Sequence, residues 1–183
     1  MNTTLIAVIV IAALVVIGIA VMAMRKREGE RLKEHFGPEY DRQVREAGGS
    51  TAKAEAELAK RQKRIEKLDI RPLAPAQRGA FASDWKDVQA RFVDDPERSI
   101  ALADALVGEV MKARGYSVED FDQRAADISV EHPGLVENYR AAHEIARRHS
   151  RGEGSTEDLR AAFIGYRSMF EELLDARAAE PVH

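Results

Sequence analysis

Five histidines are the residues best suited to acid–base or metal chemistry near neutral pH, and their spacing decides what is open to them. They are His35, His132, His143, His149 and His183. No His-Glu-x-x-His run occurs, and the paired Glu-x-x-His signature of di-iron bundles is missing. His143 and His149 are six residues apart, so on one helix they face different sides. His143 falls on an apolar stripe, where a core histidine bonded to a neighbour is expected rather than a ligand. Glu131-His132-Pro133 reads as a helix start, with the acid and the imidazole as caps. The adjacent carboxylates, Asp94 with Asp95 and Glu171 with Glu172, point about 100° apart on a helix and make poor acid–base pairs. Gly152-Glu153-Gly154 lacks the lysine and the preceding strand of a phosphate-binding loop, and no Walker, GxGxxG or GxSxG motif is present. Tyr139, Tyr166 and Trp85 stand beside His143 as side chains able to project between helices. Their helical spacing suits packing first. No residue is therefore assigned a catalytic, cofactor-binding or metal-ligating role, and no cofactor is expected.

The composition agrees with this restraint. The chain has 183 residues, a formal net charge of −3, 32% charged residues and no cysteine. Without cysteine there are no disulfides, thiolate catalysis, zinc fingers or iron–sulfur clusters. Near-neutral charge gives no basis for nucleic-acid binding. A mean hydropathy of −0.37 hides a sharp segregation along the chain.

Residues Leu5 to Met24 contain no charge and no strong polar group. Twenty residues at about 1.5 Å rise cover roughly 30 Å, the hydrocarbon thickness of a bilayer, and no polar face interrupts them. A transmembrane helix over 5–24 is the expectation, after a short tail at 1–4. A cleaved signal peptide fits less well, because Met1-Asn2-Thr3-Thr4 carries no base and Ala23-Met24-Arg25 is a poor cleavage site. Arg25, Lys26 and Arg27 on the C-terminal flank predict an outside N-terminus, a cytoplasmic C-terminal part and contact with anionic headgroups. The span holds no ionisable residue and no small-xxx-small seam, so its partner is the lipid bilayer.

The rest divides by charge. Residues 25–72 hold 14 Lys+Arg against 10 Asp+Glu, net +4. Residues 73–183 hold 14 against 21, net −7, together with nine of the eleven aromatics. A basic helical stem over 25–72 and an acidic α-helical bundle over 73–178 follow, with a frayed tail at 179–183.

Within the stem, Phe36-Gly37-Pro38 breaks a helix leaving the membrane, and Gly48-Gly49 ends a second. Ser50 or Thr51 caps a third. Leu58, Ile65 and Leu68 hint at a heptad that Arg61 interrupts. Lys60, Arg61, Lys63 and Arg64 read first as a solvated face and second as a headgroup contact.

In the bundle, Phe81, Trp85, Val88 and Phe92 form one stripe. Asp95-Pro96 opens the next helix and Gly115 closes it. Ser117 to Asp120 and Ser155 to Asp158 read as capping boxes. No period-two alternation of strand length occurs, so the fold is all-α.

Phe36-Gly37-Pro38-Glu39-Tyr40-Asp41-Arg42 and the run from Trp85 to Pro96 resemble a group of uncharacterised bacterial single-pass, membrane-anchored helical proteins. Arg114-Gly115-Tyr116 and Asn138 to His143 are similar to that group too. The resemblance implies a bacterial inner-membrane location and carries no activity. The functional expectation is a non-enzymatic, membrane-tethered interaction or scaffold protein with an unknown protein partner. The alternative is an anchored small-ligand-binding or enzymatic bundle.

Overall fold

In a computed structural model, the backbone is described for residues 3–175 and the side chains for residues 11–175. The described residues form eight helices and no strand: α1 (Thr3–Phe36), α2 (Pro38–Glu46), α3 (Thr51–Ile65), α4 (Pro75–Arg91), α5 (Pro96–Arg114), α6 (Phe121–Glu131), α7 (Pro133–His149) and α8 (Thr156–Asp175). The tail expected at 179–183 lies outside the described residues.

Local chemistry sets most boundaries. Ser50 caps α3 by accepting from Lys53 N, and Asp95 caps α5 by accepting from Arg98 N. Ser155 and Asp158 bond reciprocally at the start of α8. The box expected at Ser117 is corrected by one turn. Asp120 is the N-cap of α6 and accepts from Gln123 N at 2.7 Å. Gly115 closes α5 with φ near 99°, and a Cβ there would collide with the Asp69 carbonyl. Glycine is required for both reasons. The α3–α4 connection is pinned at this point, where Arg71 N donates to Arg114 O.

Helix α8 is the centre of the body, packed between α5 and α7, with α4 laid on α5. Its buried residues Leu159, Ala162, Phe163, Tyr166, Met169, Phe170 and Leu173 recur at three and four. Trp85 of α4 stacks on Phe163 and Phe170, with ring centres 5.2 and 4.6 Å away. Gly165 lets α7 approach α8 closely. A Cβ there would stand 2.9 Å from Asn138 O and 3.0 Å from Ala142 Cβ.

The basic stretch joins this core. Leu32, Phe36, Tyr40, Leu58 and Ile65 belong to the same apolar cluster as the residues of α4–α8. Helix α1 is unbroken for 34 residues, so the apolar N-terminal segment continues directly into Leu32 and Phe36, both buried in the body. Polar ties reinforce the docking. Glu39 of α2 accepts from Arg42, from Arg61 of α3 and from Arg140 of α7, at 2.9–3.0 Å. Arg64 of α3 pairs with Asp127 of α6. His35 bonds the Val130 carbonyl at 2.7 Å.

These ties correct two expectations. Arg61 does not interrupt a heptad seam. It is buried on the same face as Leu58 and Ile65, neutralised by Glu39 and bonded to Gln43. Nor do Arg61 and Arg64 belong to a solvated or lipid-facing row, since both point into the body; Lys60 and Lys63 remain exposed.

From Ile11 to Met24, α1 exposes its apolar side chains on all sides, Ile11 at 62% and Met22 at 74%. Among the described residues, no helix is long and apolar enough to cross a membrane. Six residues of the expected span, 5–10, lie outside the described side chains. The remaining fourteen, 11–24, rise only about 21 Å, short of a hydrocarbon core of about 30 Å.

Candidate functional site

Two helices that share a packing partner but diverge from each other leave a groove between them. Helices α5 and α7 both press on α8 more extensively than on one another. On α5, Glu97, Ile100, Ala101 and Asp104 share one face, and His143, Ala146 and Arg147 do so on α7, followed by its C-cap Ser150. Leu159 and Tyr166 of α8, seven residues apart, form the floor. The small side chains of Ala101 and Ala146 leave the space between the walls unfilled. The resulting open groove has a volume of about 350 Å³.

Its deep end holds a polar network. Arg124 of α6 donates to both carboxylate oxygens of Asp104, at 3.2 and 3.1 Å. The Tyr139 hydroxyl donates to Asp104 at 3.3 Å and accepts from Arg124 Nε at 3.2 Å. Tyr166 is fully buried, yet its hydroxyl makes no hydrogen bond of ordinary geometry. Burial first, and then the Asp104 charge, push both phenols far above their usual range, so both are neutral hydroxyls at physiological pH. Burial opposes the charge of Arg124, but Tyr139 and Asp104 outweigh it and hold the guanidinium protonated.

His143 lies half-buried on the wall, stacked on Phe121 with centroids 3.6 Å apart and planes 7° from parallel. Burial lowers its pKa below 6.5, against the pull of Asp104, so the ring is neutral at pH 7. It is thus a stacked wall residue and makes no core hydrogen bond. At the mouth, His149 Nε2 lies 4.0 Å from the exposed Glu97 carboxylate. Its Nδ1 is buried without a partner.

Of the four side chains expected to project between helices, Tyr139, His143 and Tyr166 come together here. Trp85 does not line the groove; it stacks on Phe163 and Phe170 in the core. Glu131 and His132 are not simple caps. Glu131 accepts from Tyr116, and His132 lies 3.1 Å from Glu172, with no side-chain cap to α7. Asp104 and Arg124, on which the network turns, were not legible as a pair in the sequence. They lie twenty residues apart on different helices, each amid ordinary surface charges. Among the described residues, no cluster of His, Asp and Glu could hold a metal ion.

The fold and the groove define the class as an all-α body with a small open cleft beside a half-buried Asp–Arg–Tyr network. No protein-family model, curated protein or solved structure matches the chain.

Proposed function

We propose that the chain is a membrane-tethered helical interaction protein whose body is held rigidly at the cytoplasmic surface of a bacterial inner membrane, there to meet a protein partner. The observation that carries this reading is the continuity of α1. Its segment from Ile11 to Met24 has apolar side chains on every side, and Leu32 and Phe36, two to three turns further on, are locked in the core. An apolar helix with no polar face needs a hydrophobic surrounding, and the uncharged run from Leu5 to Met24 is long enough for a bilayer. A flexible linker would let the body wander, whereas a continuous helix transmits the orientation of the anchor to it. Arg25, Lys26 and Arg27 set the orientation and meet anionic headgroups. The residues from Leu73 onward carry net −7, which turns the body away from the anionic leaflet and towards a basic partner surface.

The test is protease treatment of spheroplasts carrying the full chain, with photo-cross-linking in intact membranes. The expected result is a protected body, retention in the membrane after alkaline extraction, and a discrete cross-linked adduct to another protein. Digestion of the body from outside overturns the orientation. Release by alkaline extraction overturns the anchor, and the absence of any adduct from several exposed positions overturns the partner.

A further inference from the structure

Helices α6 and α7 meet at a single residue. His132 closes α6 through its N–H to the Ile128 carbonyl at 2.8 Å, and its own carbonyl accepts from Leu135 N and Val136 N at the start of α7. Pro133 at the first position of α7 stiffens this joint. The His132 side chain caps neither helix. It turns to α8, where Nδ1 donates to the Glu172 carboxylate at 3.1 Å. The ring is 11% exposed, and its Nε2 is buried without a partner. The charged groups about it are Glu172 from α8, Arg114 from α5 and the preceding Glu131 of α6. Arg114 donates to the Leu173 carbonyl at 3.3 Å, and Glu131 accepts from Tyr116. His35 of α1 bonds the Val130 carbonyl two residues upstream.

These contacts suit a neutral ring, whose Nδ1–H serves Glu172 while Nε2 carries a lone pair. A second proton would put a charged N–H on the buried Nε2, facing no acceptor and in the field of Arg114. We propose that His132 is an acid-sensitive latch: neutral, it ties the α6–α7 joint to the last turn of α8, and on taking up a proton it lets the two part. Burial is the largest influence holding the folded ring below 6.5; the Glu172 charge opposes it and Arg114 reinforces it. Once released into water the ring returns to about 6.5, so opening takes up a proton. The stabilisation is therefore present above pH 6.5 and is lost as pH falls through the folded value. Glu131 works in the other sense. Burial raises its pKa, so the folded state takes up that proton first and the opening is not driven by it. The latch is independent of the membrane anchor, so its failure leaves the tethering reading untouched.

The test is hydrogen exchange of the full chain in detergent micelles near pH 7.5 and near pH 5.5, corrected for the intrinsic pH dependence of exchange. One pH unit below the free value, the opening equilibrium rises by up to about tenfold. Faster corrected exchange at acid pH is expected at the joint, 128–136, and in the last turn of α8, ahead of any change in α4. His132→Asn, which keeps a side-chain N–H donor and cannot titrate, should abolish that acid response. Glu172→Gln, which keeps an acceptor for Nδ1–H but removes the charge favouring the imidazolium, should preserve or enlarge it. His143→Phe should leave it in place. The ring resonances of His132 in the unaltered chain give an independent reading, with a midpoint below 6.5 expected. Corrected exchange that does not change with pH, an acid response that survives in His132→Asn, or a ring midpoint at or above 6.5 overturns the proposal. So does slower exchange at acid pH that Glu172→Gln abolishes, because that would be an ion pair formed in acid.

Discussion

Replacing Glu39 by glutamine tests how the basic helices are held to the body. The Glu39 side chain is 1% exposed and accepts from three arginines, of which Arg61 is 7% and Arg140 14% exposed. Burial already lowers the pKa of Arg140, and Glu39 is the main influence sustaining its charge. Glutamine keeps the size of the side chain but leaves two nearly buried guanidiniums without their counter-charge. Breaking a buried pair by removing one partner costs about 3–5 kcal/mol. Relief through Glu57, 3.7 Å from Arg61 Nε, and through solvent at Arg42 argues for the lower end. At about 2–4 °C per kcal/mol for a chain of this size, the thermal midpoint should fall by about 6–12 °C. Hydrogen exchange should locate the loss in α2 and α3 and at their contacts with α6 and α7, with α5 and α8 protected longest. A second substitution, Arg61→Leu, made in the Glu39→Gln background, should recover part of the loss, because it removes one of the stranded charges. A fall of less than about 2 °C, or a loss spread evenly over all helices, would refute the claim that a buried ionic tie docks α2–α3 onto α7.

Three further outcomes follow from local geometry. Gly165→Ala should lower stability by about 1–3 kcal/mol in urea unfolding, because its Cβ meets the Asn138 carbonyl at 2.9 Å and backbone cannot swing aside. Asp95→Ala should cost about 0.5–2 kcal/mol, the loss of the cap bond to Arg98 N, read in the same assay. His143 has a folded pKa below its unfolded value of 6.5, with burial the largest cause and Asp104, Arg124, Asp122 and Glu144 the charges around it. The unfolded chain therefore takes up the proton first, and stability present above pH 6.5 is lost as pH falls through the folded pKa. The His143 ring resonances should titrate with a midpoint under 6.5. His143→Phe, which keeps the stack on Phe121, should remove that part of the acid sensitivity; an unchanged pH profile would show that the ring titrates as it does in water.

The helices were largely legible because their causes are local. Asp95 before Pro96, Ser155 with Asp158, Gly115 after Arg114 and the stripe through Leu159, Phe163, Tyr166 and Phe170 act within a turn or two of themselves. Sequence alone therefore determined an all-α chain and most of its boundaries, together with an uncharged run of twenty residues followed by three bases. Tertiary structure decided the rest. Arg61 reads as a blemish in a heptad until α2 brings Glu39 against it, and Arg64 reads as solvated until Asp127 arrives from 63 residues away. Asp104 acquires a role only where Arg124, Tyr139 and Tyr166 converge from three other helices. A charged side chain carries no mark of its future partner, and a partner on another helix sets whether that charge is buried, paired or left in water.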